Sequence, residues 1–146
     1  MTVDVTAETI IERSVEVVAA YAADPSNAPE WYANIDSVEW KTEPRVEKGA
    51  KAAFVARFLG RRLEYTYELV DVEPGTRLVM RTAQGPFPME TTYTWTSVDA
   101  TSTLMTLRNR GEPAGFSKLM TPLMAPAMRR ANRKDLAALK AILEAR

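Results

Sequence analysis

The side chains of this sequence best suited to chemistry are tyrosines and threonines that alternate with charged residues. Tyr65 and Tyr67 stand two positions apart, and Thr91 and Tyr93 repeat that spacing further along the chain. In a β-strand, residues two apart point to the same face of the sheet. Rings and a few hydroxyl groups on one face are typical of a ligand pocket, in which apolar walls surround a few polar groups. They are also typical of an ordinary sheet core, so both interpretations stay open at this point.

The same strand parity extends the set of candidate ligand-binding residues. Aromatic, methionine and threonine side chains occupy the inward positions of five predicted strands, opposite charged or polar residues. The candidates on strands are Phe54, Phe58, Tyr65, Tyr67, Met80, Met89, Thr91, Tyr93, Trp95 and Met105.

A methionine-rich stretch, KLMTPLMAPAM at positions 118–128, adds three more candidates, Met120, Met124 and Met128. Their spacing of four predicts one face of a helix, whereas Pro122 and Pro126 lie on the opposite face. Either the helix begins near residue 122 with Thr121 as its N-cap, or one helix from about residue 116 is bent twice. We expect the prolines to face solvent and the flexible methionines to face the sheet. These methionines either form a soft lid at a cavity entrance or fill irregular space beside a kink.

The composition excludes several functional classes. The sequence has no histidine and no cysteine, so a Ser-His-Asp triad, a His-ligated metal site and a disulfide are excluded, and we predict neither metal nor cofactor. Its 19 basic and 19 acidic residues give zero formal net charge, which predicts no nucleic-acid partner. The N-terminus does not resemble a signal peptide, and no stretch is long enough to span a membrane. We therefore expect a cytoplasmic protein with one domain over residues 1–146.

Hydrophobic periodicity predicts the elements that position these side chains. Residues 3–11 alternate as a strand, Ser14 is a candidate N-cap for a following helix, and a turn-rich segment leaves room for a second short helix. About six closely spaced strands follow, with one hairpin at Gly60-Arg61, and a long helix ends the chain. This order predicts an α+β fold in which a curved antiparallel sheet of about six or seven strands wraps around the C-terminal helix.

The sequence resembles the START-like (SRPBCC) superfamily, in particular the polyketide cyclase/dehydrase and lipid-transport branch of small bacterial proteins. The similarity lies in the segments SVEVVAAYAADPSNAPEW, VEKGAKAAFVA and YTYELVDVEPGTRLVMRT, and in the final helix ending DLAALKAILEA. The resemblance implies a helix-grip fold with an apolar cavity between sheet and helix. It also implies that Trp31, in the motif PEWY, lies near the cavity entrance, although core packing is an equal alternative. No catalytic motif of the family can be matched residue by residue.

Three functions are compatible with this resemblance. The first is binding or transport of a small hydrophobic ligand, lipid-like or aromatic and polyketide-like. The second is an aromatase/cyclase or dehydratase that works without metal or histidine, by shaping its substrate and polarising carbonyl groups. The third is a protein-interaction module, which a filled groove and an exposed apolar patch would favour. We expect a binding protein, and the sequence leaves the ligand and the oligomeric state open.

Overall fold

The computed structural model describes residues 2–116 and 118–146 and contains one antiparallel sheet with the strand order β1-β7-β6-β5-β4-β3-β2. Each strand from β2 to β7 pairs with its neighbour in sequence, because the connections are too short for any crossover. β1 pairs with β7 and forms the edge of the sheet opposite β2. The strands are β1 (Val3–Ile11), β2 (Ile35–Trp40), β3 (Lys51–Phe58), β4 (Arg61–Glu73), β5 (Arg77–Gln84), β6 (Met89–Asp99) and β7 (Ser102–Gly111).

The hairpin between β3 and β4 has a two-residue loop formed by Leu59 and Gly60. Both residues have positive φ, 49° and 77°, and Phe58 pairs directly with Arg61. Two-residue hairpin loops with two positive φ values match the right-handed twist of the flanking strands. The sequence placed this turn one residue too late, at Gly60-Arg61, because glycine was the only visible signal for it.

Two short helices follow β1. Helix α1 (Val15–Ala22) begins after Ser14, which is the N-cap as predicted. A 3-10 turn (Pro25–Asn27) and helix α2 (Ala28–Trp31) then fill the turn-rich segment. The Asp24 carboxylate accepts a hydrogen bond from the Ser26 N–H at 2.9 Å, which caps the 3-10 turn.

The long helix α3 (Thr121–Glu144) is one continuous helix with Pro126 inside it. Met120 is its N-cap, so it begins one residue before the predicted start and not at residue 116. Pro122 and Pro126 are exposed, whereas Met124 is only 2% exposed, which confirms the predicted orientation. Helical periodicity from Phe116 onward also predicts Leu119 on the same apolar face as the methionines, which is wrong: Leu119 is 85% exposed, because it precedes the helix. Leu123 was also expected on that face and is 53% exposed.

The concave face of the sheet and the inner face of α3 share the core. Leu136, Leu139 and Leu143 of α3 are at most 1% exposed, and the predicted inward residues of the strands are buried or half-buried. The Arg13 guanidinium donates to the backbone carbonyl of Leu143 at 2.7 Å, which satisfies a free carbonyl at the helix end. These features confirm the predicted α+β helix-grip architecture. Within residues 2–116 and 118–146, no helix combines the length and the apolar character that a membrane span requires.

Candidate ligand-binding site

A pocket of about 120 Å³ lies between the concave face of the sheet and α3. Aromatic rings form much of its wall on the sheet side. The rings of Phe54 and Tyr65 stack with centroids 5.4 Å apart, and the Tyr67 ring meets Tyr65 edge-on at 5.0 Å. Met124 and Met128 contribute the facing wall from α3. The strand periodicity and the methionine spacing therefore converge on one apolar space.

Nine of the fourteen predicted site residues line this pocket, and their contact with a ligand stays a prediction. They are Phe54, Phe58, Tyr65, Tyr67, Met80, Met89, Thr91, Met124 and Met128. Trp31, Tyr93, Trp95 and Met105 lie outside the lining, in the core, and each is at most 4% exposed. Trp31 packs against Tyr32 and Tyr93, with ring centroids 4.2 and 5.7 Å apart, so it lies behind the pocket wall. Met120 lies outside the lining because it precedes the first turn of α3.

A chain of four polar side chains runs through the pocket lining. The Tyr67 hydroxyl lies 2.9 Å from the Thr91 hydroxyl, which donates to Asn109 Oδ1 at 2.6 Å. Because Thr91 uses its hydrogen on Asn109, Tyr67 must be the donor to Thr91. Asn109 Nδ2 then donates to Asn132 Oδ1 at 2.9 Å. The chain therefore runs in one direction, from sheet to helix, and ends in the Asn132 amide.

The end of this chain is an unmatched donor. Asn132 is 1% exposed, and its Nδ2 has no hydrogen-bond partner among residues 2–116 and 118–146. Nearly all buried polar groups in folded proteins have a partner, and a buried donor without one is costly. Since Asn132 Nδ2 has essentially no accessible surface, this donor is packed between β7 and α3 and does not face the open space of the pocket.

A buried carboxyl lies one helical turn further along α3. Asp135 is 3% exposed and lines the pocket, and its Oδ1 accepts the Ala33 backbone N–H at 3.0 Å. Burial raises the pKa of Asp135 to about 6, against smaller opposing effects from the Ala33 N–H and Lys134. A carboxyl with this pKa changes charge near neutrality and can both accept and release a proton there.

Two phenols share a short hydrogen bond beside the pocket. The hydroxyls of Tyr32 and Tyr93 are 2.6 Å apart, and burial raises the pKa of each phenol well above its usual value, so both stay protonated. One phenol donates to the other, which leaves one hydroxyl hydrogen for a further acceptor. Tyr32 lines the pocket, so this pair can contribute a second neutral donor to it.

The charged residues of the lining mark its solvent-facing part. Arg57 and Arg110 are both exposed, and both are already paired. Arg57 Nε donates to Asp36 Oδ2 at 3.1 Å, and Arg110 forms an ion pair with Glu90. The outward position of Arg57 and Arg81 agrees with the strand parity. Both guanidinium groups pair with carboxylates at the protein surface. The polar groups in the deep part of the pocket are therefore neutral donors and the single carboxyl of Asp135.

Four buried or half-buried polar lining residues escaped the sequence analysis: Tyr32, Asn109, Asn132 and Asp135. Three of them carried a signal. Asn109 continues the inward parity of Met105 and Leu107 on β7. Asn132 stands four residues after Met128, and Asp135 four before Leu139, so both interrupt the apolar stripe of α3. Tyr32 follows a short helix in an irregular segment, where no periodicity predicts which way a side chain points.

Comparison with known proteins agrees with this geometry. The family model described as polyketide cyclase/dehydrase and lipid transport matches residues 2–144. The chain belongs to this family. No curated protein matches the sequence.

Several solved structures share the fold of this chain. The protein TTHA0849 of Thermus thermophilus is 20% identical with a TM-score of 0.82, and the match covers 97% of each chain. The Zhui aromatase/cyclase of Streptomyces sp. R1128 is 15% identical with a TM-score of 0.81, covering 99% of this chain and 94% of that one. A START superfamily protein of Mycobacterium smegmatis is 16% identical with a TM-score of 0.78, covering 97% of each chain. At these identities, the similarity establishes the fold.

Proposed function

We propose that this protein binds a small hydrophobic ligand, lipid-like or aromatic and polyketide-like, in the pocket between the sheet and α3. The observation that carries the proposal is the pocket of about 120 Å³ lined by aromatic rings and methionines. Apolar cavities of roughly 150 Å³ in other proteins stay dry and accept a benzene ring. A ring or a short chain of similar size therefore suits this pocket.

The binding energy would come mainly from apolar burial. Each Å² of apolar ligand surface removed from water contributes about 25 cal/mol. The methionines allow the helix side of the wall to adapt to ligands of different shape, because their side chains are flexible and polarizable. Family membership supports the same proposal, since the family description includes lipid transport as well as cyclase and dehydrase chemistry.

The first test is native mass spectrometry of the purified protein, followed by denaturation and extraction of any bound molecule. A defined hydrophobic molecule that co-purifies would support the proposal and identify the ligand class. A clean ligand-free mass, together with no thermal shift from a panel of lipids, quinones and polyaromatic compounds, would contradict it. In that case a filled core and a protein partner become the better interpretation.

A second candidate function is that of a cyclase or dehydratase on a polyketide-like chain. Asp135 favours it, since a pocket carboxyl whose pKa is raised to about 6 by burial suits proton transfer near neutral pH. The similarity in fold to the Zhui aromatase/cyclase is compatible with this chemistry. Substitution of Tyr65, whose ring lines the pocket, by phenylalanine separates the two functions. A carrier of apolar ligands keeps its affinity, whereas an enzyme that uses the phenol loses turnover.

A further inference from the structure

The beginning of α3 carries an apolar surface that is open to solvent. Leu119 is 85% exposed and Leu123 is 53% exposed, and Pro122 and Pro126 are exposed beside them. Single exposed apolar side chains are common on folded proteins, whereas a group of them marks an interaction surface. Met124 of the same turn is buried and lines the pocket, and neither leucine does. The two leucines therefore serve neither the core nor the pocket.

Basic residues accompany this apolar surface without acidic ones. Between Glu112 and Asp135 the sequence has no Asp or Glu and five basic residues, which are Lys118, Arg129, Arg130, Arg133 and Lys134. None of these five lies within ion-pair distance of a carboxylate in residues 2–116 and 118–146. The remaining 14 basic and 19 acidic residues give the rest of the chain a net charge of −5. The zero total thus conceals a positive region at the start of α3.

The stability of α3 does not account for this charge. The partial positive charge at the N-terminal end of a helix favours Asp or Glu in the first turn, and α3 has no acidic residue there. Arg129 and Arg133 are four residues apart and repel each other on the helix surface. Arg130 and Lys134 repeat this like-charged pairing. The helix therefore carries these charges at a cost to its stability, which a negatively charged partner would offset.

Helical geometry places the exposed leucine and the basic residues on one face of α3. Arg130 stands two turns after Leu123, and Arg133 and Lys134 follow one turn later. All three basic residues are exposed. At about 1.5 Å per residue, these charges begin about 10 Å further along the helix axis than Leu123. A bilayer has the same order with depth, since its acyl chains lie beneath anionic headgroups.

We propose that this docking face, formed by Leu119, Leu123, Arg130, Arg133 and Lys134, binds the surface of an anionic lipid bilayer. The leucines enter the boundary between headgroups and acyl chains, and the cations lie at the lipid phosphates. An acidic peptide or a nucleic acid would pair with the cations, but neither provides an apolar interior for two exposed leucines. The inference goes beyond the proposed function, because it does not require that the pocket bind a ligand.

The test measures sedimentation of the protein with two kinds of vesicle. One kind is phosphatidylcholine alone, and the other contains equal parts of phosphatidylcholine and phosphatidylglycerol. We expect the wild-type protein to bind the anionic vesicles and not the neutral ones. Raising sodium chloride from about 0.1 to 0.5 M should weaken this binding at least tenfold, because salt screens the attraction between exposed charges.

One pair of substitutions tests the cations of the docking face. Arg130→Gln combined with Arg133→Gln should weaken binding to the anionic vesicles at least tenfold, because each basic residue near such a surface contributes about fivefold. The control combines Arg45→Gln with Lys48→Gln, which removes the same charge from exposed positions outside the docking face. It should change binding by less than about threefold.

A second pair of substitutions tests the leucines. Leu119→Gln combined with Leu123→Gln should weaken binding at least tenfold, because glutamine gains nothing on leaving water. Val98→Gln is the control, since Val98 is 54% exposed and Leu123 is 53% exposed. The chain has no cysteine, so Leu123→Cys can carry a single polarity-sensitive dye. The dye emission should shift to shorter wavelength on anionic vesicles, whereas the same dye on Val98→Cys should not shift.

Three outcomes would overturn the docking face. The first is that the wild-type protein does not bind anionic vesicles at low salt. The second is binding that both pairs of substitutions leave unchanged, which would place the contact elsewhere. The third is that only the arginine variant binds weakly, the dye does not shift, and a polyglutamate peptide displaces the protein, which would mean that the face recognises charge alone. The two dye-labelled proteins and the wild-type protein decide the matter even if a double variant fails to fold, and no outcome depends on a ligand in the pocket.

Discussion

At the scale of single residues, the candidate site is defined by polar groups held inside an apolar space. The clearest example is Asp135, because burial disfavours the charged form of its carboxyl and raises its pKa to about 6. A carboxyl in the unfolded chain has a pKa near 3.8. With the folded pKa raised, the group stabilises the fold most below pH 3.8, and this contribution is lost as pH rises through 6.

The first prediction therefore concerns Asp135→Asn. Asparagine cannot ionise, yet its oxygen can still accept the Ala33 N–H. A pKa raised from 3.8 to about 6 corresponds to roughly 3 kcal/mol, so we expect the variant to be more stable than the wild-type protein by about 2–3 kcal/mol at pH 8. At pH 4 the difference should disappear. Urea unfolding across this range measures it, with Glu8→Gln on the exposed face of β1 as the control, and a difference independent of pH would contradict the argument.

The second prediction tests the polar chain at Thr91. Thr91→Val preserves shape but leaves the Tyr67 hydroxyl and Asn109 Oδ1 without their partner. Unsatisfied buried groups cost about 1–3 kcal/mol each, so we expect a loss of roughly 2–3 kcal/mol in the free energy of unfolding. Thr92→Val, on the neighbouring position and the other face of β6, should change it by less than about 0.5 kcal/mol. Equal effects from the two variants would mean that the chain contributes nothing to stability.

At the scale of elements, the strands could be predicted well and the polar part of the site could not. Alternation along β4 and β6 fixed which of their side chains face inward, because one face of each strand had to be buried. Periodicity also gives the inward positions of Asn109 and Asn132, but it does not predict that these polar side chains are satisfied there, because that depends on the hydrogen bond between them across the gap between β7 and α3. Tyr32 depends in the same way on Tyr93, which is distant in sequence.

Helix α3 combines a local defect with a long buried face. Pro126 removes the hydrogen bond that a residue at this position would donate to the Pro122 carbonyl, and it is exposed, so no buried contact compensates for the loss. The hydrophobic face from Met124 to Leu143 holds the helix in place. The defect is confined to the turn that carries Met124 and Met128, the helix side of the pocket.

The third prediction follows from this position. Pro126→Ala restores a helical hydrogen bond and should raise the free energy of unfolding by about 1–3 kcal/mol. Pro122→Ala is the matched control, because a residue in the first turn has no intrahelical acceptor to lose. It should change stability by less than about 0.5 kcal/mol. Thermal unfolding followed by circular dichroism distinguishes the two, and a destabilised Pro126→Ala would contradict the argument.

At the scale of the whole molecule, the fold separates charge from apolar space. Ion pairs such as Arg108–Asp4, Arg57–Asp36 and Arg62–Glu64 lie on exposed residues of the sheet. The concave face carries rings, methionines and the polar chain. A curved sheet around a single helix encloses more space than the side chains fill, and the pocket is the remainder. A variant whose side chains filled this space would be more stable, so the pocket has a cost in stability that the proposed ligand would offset.

The last prediction measures that cost directly. Ala131 lines the pocket from α3, and Ala131→Leu extends into a space of about 120 Å³. We expect the ligand-free protein to gain about 0.5–2 kcal/mol, as cavity-filling substitutions commonly do, while its affinity for ethylbenzene falls at least tenfold. Ala137→Leu is the control, because Ala137 lies on the exposed face of the same helix and leucine there alters helix propensity equally. Stability gained with affinity retained would place the binding site elsewhere. Stability lost with affinity lost would mean that the side chains around Ala131 already fill the space, and that the binding pocket is closed in the ligand-free protein.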